Sequence, residues 1–193
     1  IAIGTSSGNN VSGMQNVAIG EGAGSNVKSN YNIAIGTQAG YGINYASDDK
    51  SQNGYNVSIG YQANYQENSA NIMYSTALGN EANASNYAVA IGDKAKASGT
   101  HSLALGDAAQ ASDTESIALG HNTNAADGNV AIGNGSLAPA VSSLGTVKDG
   151  YVYKSTTTTD SSGTSTTTLT ELKSAFTYKP LASDSHYISV GNS

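Results

Sequence analysis

Cysteine is absent from this sequence, which excludes a disulfide framework and a thiolate metal site while fitting either the cell surface or the cytosol. Arginine is absent as well. All of the Lys+Arg total of 8 is lysine, against 14 carboxylates and a net charge of −6, so there is no basic footprint for a phosphate backbone and nucleic acid is not an expected partner. Tryptophan is missing, phenylalanine occurs once, and charged residues make up 11% of the chain where about a quarter is usual. A thick conventional core is therefore excluded. No run approaches the roughly 18 apolar residues of a membrane-spanning helix, and no signal-peptide pattern opens the chain. Because the first residues already lie inside a repeated word, the chain is expected to be a piece of a longer protein.

What is present is repetition. Short apolar words end in glycine at Gly4, Gly20, Gly36, Gly60, Gly79, Gly92, Gly106, Gly120 and Gly133, as in Val17-Ala18-Ile19-Gly20 and Leu103-Ala104-Leu105-Gly106, with weaker forms at Gly145 and Gly191. Self-similarity of this density is the mark of stacked structural units. The steps between these glycines are 16, 16, 24, 19, 13, 14, 14, 13, 12 and 46 residues. Residues 1-145 are thus expected to form a repeat domain, with long irregular coils over 1-79 and tight coils over 80-145, followed by a distinct segment, 146-193.

In a tight unit, Leu103 and Leu105 point to one side of a strand and Ala104 to the other, since side chains alternate along a strand. A second strand carries Ala95 and Ala97, repeated as Ala109 and Ala111 and again as Thr123 and Ala125, with Lys94, Lys96, Ala108 and Gln110 on its solvent side. Glycine every few positions and β-branched residues disfavour helix. Two short strands per coil, stacked at about 4.8 Å, make an all-β, parallel β-solenoid. Both faces of the first strand are apolar, so both require burial. One assignment lets Ile19, Ile35, Ile59, Leu78, Ile91, Leu105, Leu119 and Ile132 fill the coils and leaves Ala18, Ala34, Ala77, Ala90, Ala104, Ala118 and Ala131 to line a contact between chains. The reverse assignment satisfies the same alternation. Either way, self-association is expected.

These words resemble the YadA-like head of trimeric autotransporter adhesins, whose repeat is built around the phrase NSVAIGxxS. Asn129-Val130-Ala131-Ile132-Gly133-Asn134-Gly135-Ser136 lacks only the serine after asparagine, and Ser116-Ile117-Ala118-Leu119-Gly120 and Ser102-Leu103-Ala104-Leu105-Gly106 keep the remainder. The resemblance covers residues 1-145 and implies a left-handed β-roll assembled as a homotrimer, held by a stalk and an outer-membrane anchor domain on a bacterial cell surface. It also implies attachment to a host extracellular-matrix protein, a glycan or a cell receptor, a role in virulence, and no catalysis. Phrases such as Ile59-Gly60-Tyr61-Gln62-Ala63-Asn64 also look like repeats of phage tail fibres, so a receptor-binding fibre segment is the alternative.

Residues 146-193 resemble no head coil. Two Thr-rich runs, Tyr151 to Thr159 and Thr164 to Leu172, flank Asp160-Ser161-Ser162-Gly163, which predicts a hairpin within a β-rich connector. A flexible Ser/Thr-rich linker is the other reading.

No catalytic, cofactor or metal site is expected. His101, His121 and His186 lack a common spacing and read as exposed polar residues. Asp93, Asp107, Asp113, Glu115 and Asp127 belong to corners and turns. Gly20-Glu21-Gly22-Ala23-Gly24 lacks the Lys-Ser/Thr of a phosphate loop, and the hexapeptide spacing of left-handed acyltransferase helices is absent. Thr156 to Thr159 and Thr164 to Thr168 lack the one-per-coil ladder of an ice-binding face. Tyrosine is the residue type whose placement suggests recognition. Tyr41, Tyr45, Tyr55, Tyr61 and Tyr65 are the ligand-binding candidates, because loops on a rigid scaffold commonly carry function and a phenol joins apolar area to a polar tip. Caps on the wider coils are the bland alternative.

Overall fold

A computed structural model describes residues 1–44, 54–66, 70–138, 152–159, 165–172 and 188–190. Among these residues there is no helix, and the repeats wind into a parallel β-solenoid. Its main sheet has ten strands, Ala2–Ile3, Val17–Ile19, Ile33–Ile35, Val57–Ile59, Thr76–Leu78, Val89–Ile91, Leu103–Leu105, Ile117–Leu119, Val130–Ile132 and Ile188–Val190. Each pairs in parallel with the next, and the register sets like on like: Val17 on Ile33, Ala18 on Ala34, Ile19 on Ile35. A second parallel sheet of five strands, Asn83–Ala84, Lys96–Ala97, Gln110–Ala111, Asn124–Ala125 and Leu137–Ala138, forms the opposite wall of the tight coils.

Glycine fixes the corner where each apolar word ends. From Gly4 to Gly133 these residues have φ between +104° and +141°, a region that L side chains rarely enter. They also stack directly upon one another. A methyl on Gly106 would stand 2.5 Å from the carbonyl oxygen of Gly120, so one turn closes against the next only where no side chain exists.

The interior is built from methyl groups. Ala77, Ala90, Ala104, Ala118 and Ala131 on one wall meet Ala84, Ala97, Ala111, Ala125 and Ala138 on the other, all at 0% exposure. This reverses the first assignment of faces. Ala18, Ala34, Ala77, Ala90, Ala104, Ala118 and Ala131 are 0–3% exposed within a single chain and have no surface left for a contact between chains. Ile19, Ile35, Ile59, Leu78, Ile91, Leu105, Leu119 and Ile132 stand on the outer face instead, with Leu105 43% and Leu78 41% exposed. The reason is steric. A tight coil holds its two walls so close that paired methyls already fill the gap at native packing density, and a branched side chain fits only outward.

The wide coils have more interior to fill. Val27, Ile43 and Ile72 form a separate aliphatic cluster there, with Val11 packed against it. Beside it runs a buried amide ladder. The Asn56 side-chain NH₂ donates to Asn32 Oδ1 at 2.9 Å and to the Ile72 carbonyl at 2.8 Å, while its Oδ1 accepts from the Ser75 backbone N–H at 3.0 Å and from the Ser75 hydroxyl at 2.8 Å. Every polar atom of that amide side chain thus has a partner, as burial requires.

Val152–Thr159 and Ser165–Leu172 form a separate antiparallel pair, from Val152 opposite Leu172 to Thr159 opposite Ser165. The predicted Asp160-Ser161-Ser162-Gly163 turn lies outside the described residues. Ile188–Val190 then returns to the main sheet and pairs in register with Val130–Ile132.

Candidate functional site

Stacking coils in register turns each recurring position into a column on the surface, and one column is aromatic. Two residues before the main strand stand Tyr31, Tyr55, Tyr74, Tyr87 and His101, and their rings lie one upon the next. Centroid separations are 4.8, 5.2, 4.9 and 4.9 Å down the series, with interplanar angles of 3°, 19°, 12° and 18°. The four tyrosines are 39–46% exposed, so the ladder is a surface feature.

The backbone under this ladder carries strain. All five residues have positive φ, from +49° at Tyr55 to +60° at Tyr31 and His101, a conformation that suits Gly, Asn or Asp and is uncommon for a bulky side chain. The cost for an L-residue is about 1–2 kcal/mol, and a stacked aromatic pair returns about 0.5–1.5 kcal/mol beyond its buried area. The two nearly cancel. Neighbouring coils put Gln15, Glu115 and Gly128 at the same position, also with positive φ. The turn therefore does not demand an aromatic residue.

A second, shorter stack lies on another corner. Tyr41 and Tyr65 have ring centroids 5.1 Å apart at 25° and are half-buried. Tyr41, Tyr61, Thr37, Gln38, Glu21 and Asn26 line a shallow open groove, in which Gln62 Nε2 donates to Gln38 Oε1 at 2.7 Å and Asn10 Nδ2 to Asn26 Oδ1 at 2.8 Å. Of the five tyrosines singled out from sequence, Tyr41, Tyr61 and Tyr65 belong to this corner and Tyr55 to the longer ladder. Tyr45 lies outside the described residues. Tyr31, Tyr74, Tyr87 and His101 were not among the five candidates. The signal for them was a constant offset of two residues before the strand, as in Tyr31-Asn32-Ile33 and Tyr87-Ala88-Val89.

The histidines do not converge. His101 ends the ladder, and His121 lies on the outer column that follows the glycine corner, with Nε2 3.5 Å from Asp107 Oδ2 and Nδ1 2.8 Å from Asn134 Oδ1. His186 is outside the described residues. Among the described residues no three His, Cys, Asp or Glu side chains gather as a metal-binding group. His121 and Asp107 are both more than half exposed, which makes theirs a surface pair of small energetic weight.

The remaining surface of note is the outer face of the main sheet. Two columns run its length, Val17, Ile33, Val57, Thr76, Val89, Leu103, Ile117 and Val130 in one and Ile19, Ile35, Ile59, Leu78, Ile91, Leu105, Leu119 and Ile132 in the other. None of these sixteen side chains is buried. Contiguous apolar surface on this scale marks an interaction face.

Residues 73–95, 85–109 and 97–123 match the family profile described as the YadA head domain repeat. A search of curated proteins finds none that matches the chain.

Proposed function

We propose that this chain, which carries YadA-like head repeats wound into a parallel β-solenoid, is the head segment of a bacterial surface adhesin and works as a homotrimer. The family of that repeat is one of adhesins rather than enzymes, so attachment is the activity in question. The observation that carries the trimer is the outer face of the main sheet: sixteen large or β-branched side chains in two unbroken columns, unburied in a single chain. Three copies packed on that face would bury what one cannot. On this reading the parent protein works at the bacterial cell surface, anchored in the outer membrane.

The mechanism is multivalent. Identical surfaces repeat around and along a stiff rod, so individually weak contacts add through effective concentration. An extracellular-matrix protein, a glycan or a cell receptor are the classes of ligand such a head engages, and the tyrosine columns are its recognition surface. The test is attachment of the purified chain to surfaces coated with collagen, fibronectin, laminin or arrayed glycans, with mass from sedimentation equilibrium in parallel. A trimer that adheres supports the reading; a compact, soluble monomer, or a trimer that adheres to none of these, overturns it.

A further inference from the structure

We propose that the ladder of Tyr31, Tyr55, Tyr74, Tyr87 and His101 is a binding strip for an uncharged, extended glycan of β-linked hexopyranose units, lying along the solenoid axis with one sugar per coil. This deepens the adhesin reading and rests on it. The first argument is the shape of the stack. Carbon atoms in contact sit about 3.5–4.0 Å apart, whereas these ring centroids are 4.8–5.2 Å apart with nearly parallel planes. The separation is that of the coils themselves, so each ring covers the next and the column continues without a break over five coils. With the four tyrosines 39–46% exposed, it is open to solvent along its length.

The second argument is the repeat. Coils follow one another at the spacing of paired strands, about 4.8 Å, and a β-linked hexopyranose chain in its extended form advances by nearly the same distance per sugar. Each unit offers equatorial hydroxyls to exchange hydrogen bonds with a row of phenols and C–H groups to pack against the exposed side of the column. A ligand without that repeat would match one ring and miss the others.

Charge supplies the third argument. The residues just before the rings, Asn30, Gly54, Met73, Asn86 and Thr100, are uncharged, the next coil past His101 brings Glu115, and the chain as a whole carries −6. Polyanionic glycans are repelled by such a surface and neutral ones are not.

The experiment is calorimetric titration of the purified chain with cellohexaose, with maltohexaose and a hyaluronan hexasaccharide as comparators. Cellohexaose is expected to bind, with at least a tenfold weaker dissociation constant in the double variant Tyr55→Asn/Tyr74→Asn and no change in Lys96→Gln, an exposed position on the second sheet. Asparagine is tolerated at positive φ, and the single variant Tyr74→Asn, checked by circular dichroism, gives a graded loss should the double variant fail to fold. No binding of cellohexaose, equal binding by the ladder variants, or equal binding of hyaluronan overturns the proposal. If cellohexaose is ignored while the chain still adheres to protein-coated surfaces, the glycan strip falls and the adhesin reading stands. If cellohexaose binds and no protein-coated surface holds the chain, both stand, with attachment to glycan alone.

Discussion

The imidazole of His101 lies on the ring of Tyr87, with centroids 4.9 Å apart and planes 18° from parallel, although a whole turn of the solenoid separates them along the chain. Contacts of this kind, between equivalent positions of successive coils, hold the fold together and decide what each substitution does.

The ladder sits on strained backbone, so the replacement matters as much as the loss of a ring. Tyr74 has φ +54°, and both Asn and Ala remove its two stacking contacts with Tyr55 and Tyr87. Asn enters the conformation at less cost than Ala, and Tyr74→Asn is expected to be more stable than Tyr74→Ala by about 1 kcal/mol. Urea denaturation midpoints of the two variants check this.

Two glycine-to-alanine changes should differ sharply. In Gly106→Ala the new methyl meets the Gly120 backbone, 2.5 Å from its carbonyl oxygen and 2.6 Å from its carbonyl carbon, and the expected loss is about 3 kcal/mol or more, in the range of severe overpacking and backbone strain. Gly135 also has positive φ, but nothing lies within 4 Å of a methyl placed there. Gly135→Ala is expected to cost about 1 kcal/mol, the strain alone. Thermal unfolding of both variants measures the contrast.

Neighbouring residues on opposite faces separate folding from assembly. Ala104→Leu puts three extra carbons into a gap already filled by methyls, at 0% exposure, and is expected to destabilise the coil by about 3 kcal/mol, at the upper end of overpacking. Leu105→Asp leaves the coil interior untouched and charges the outer face. It is expected to keep the circular dichroism spectrum of the parent while shifting sedimentation from trimer to monomer. Dissociation by Ala104→Leu without unfolding would restore the alanine column as the contact between chains.

The buried amide ladder depends on the Asn56 side chain. Asn56→Ala strips the Ser75 backbone N–H and hydroxyl of their acceptor and the Ile72 carbonyl of a donor, while Asn32 Oδ1 keeps the Asn56 backbone N–H. With about 1–3 kcal/mol for each buried group left unsatisfied, a loss of about 3 kcal/mol is expected. Amide hydrogen exchange should show it concentrated in the wide coils, around residues 54–66, rather than in the tight ones.

Recurrence made the solenoid legible, because a word such as Val-Ala-Ile-Gly repeated at short intervals leaves parallel stacking as the direct way to bury it. The orientation of that word was not legible from Leu103-Ala104-Leu105 alone, since alternation says that two faces differ without saying which is enclosed. The deciding fact lay in the second strand. Ala95, Ala97, Ala109 and Ala111 offer only methyls toward the interior, and a tight coil has no width for a further layer between them and a leucine. The aromatic ladder escaped for a different reason: coils of unequal length lose their alignment when counted forward from glycine, while counting back from the strand puts Tyr31, Tyr55, Tyr74 and Tyr87 in one column. Positive φ at those residues is a property of the closed turn and has no signature in tyrosine itself. The return of Ile188–Val190 onto Val130–Ile132 was hidden by the long interval between Gly145 and Gly191.

The main sheet keeps a constant outer profile from Val17 to Ile132 while the turns behind it differ widely in length from coil to coil. In the proposed trimer, docking of one subunit on another and display toward the surroundings fall to different faces of the same rod. Turns can lengthen, swap their side chains or acquire an added strand pair such as Val152–Thr159 with Ser165–Leu172 without altering the outer face of the sheet, so what the rod presents can change while the proposed docking face stays the same.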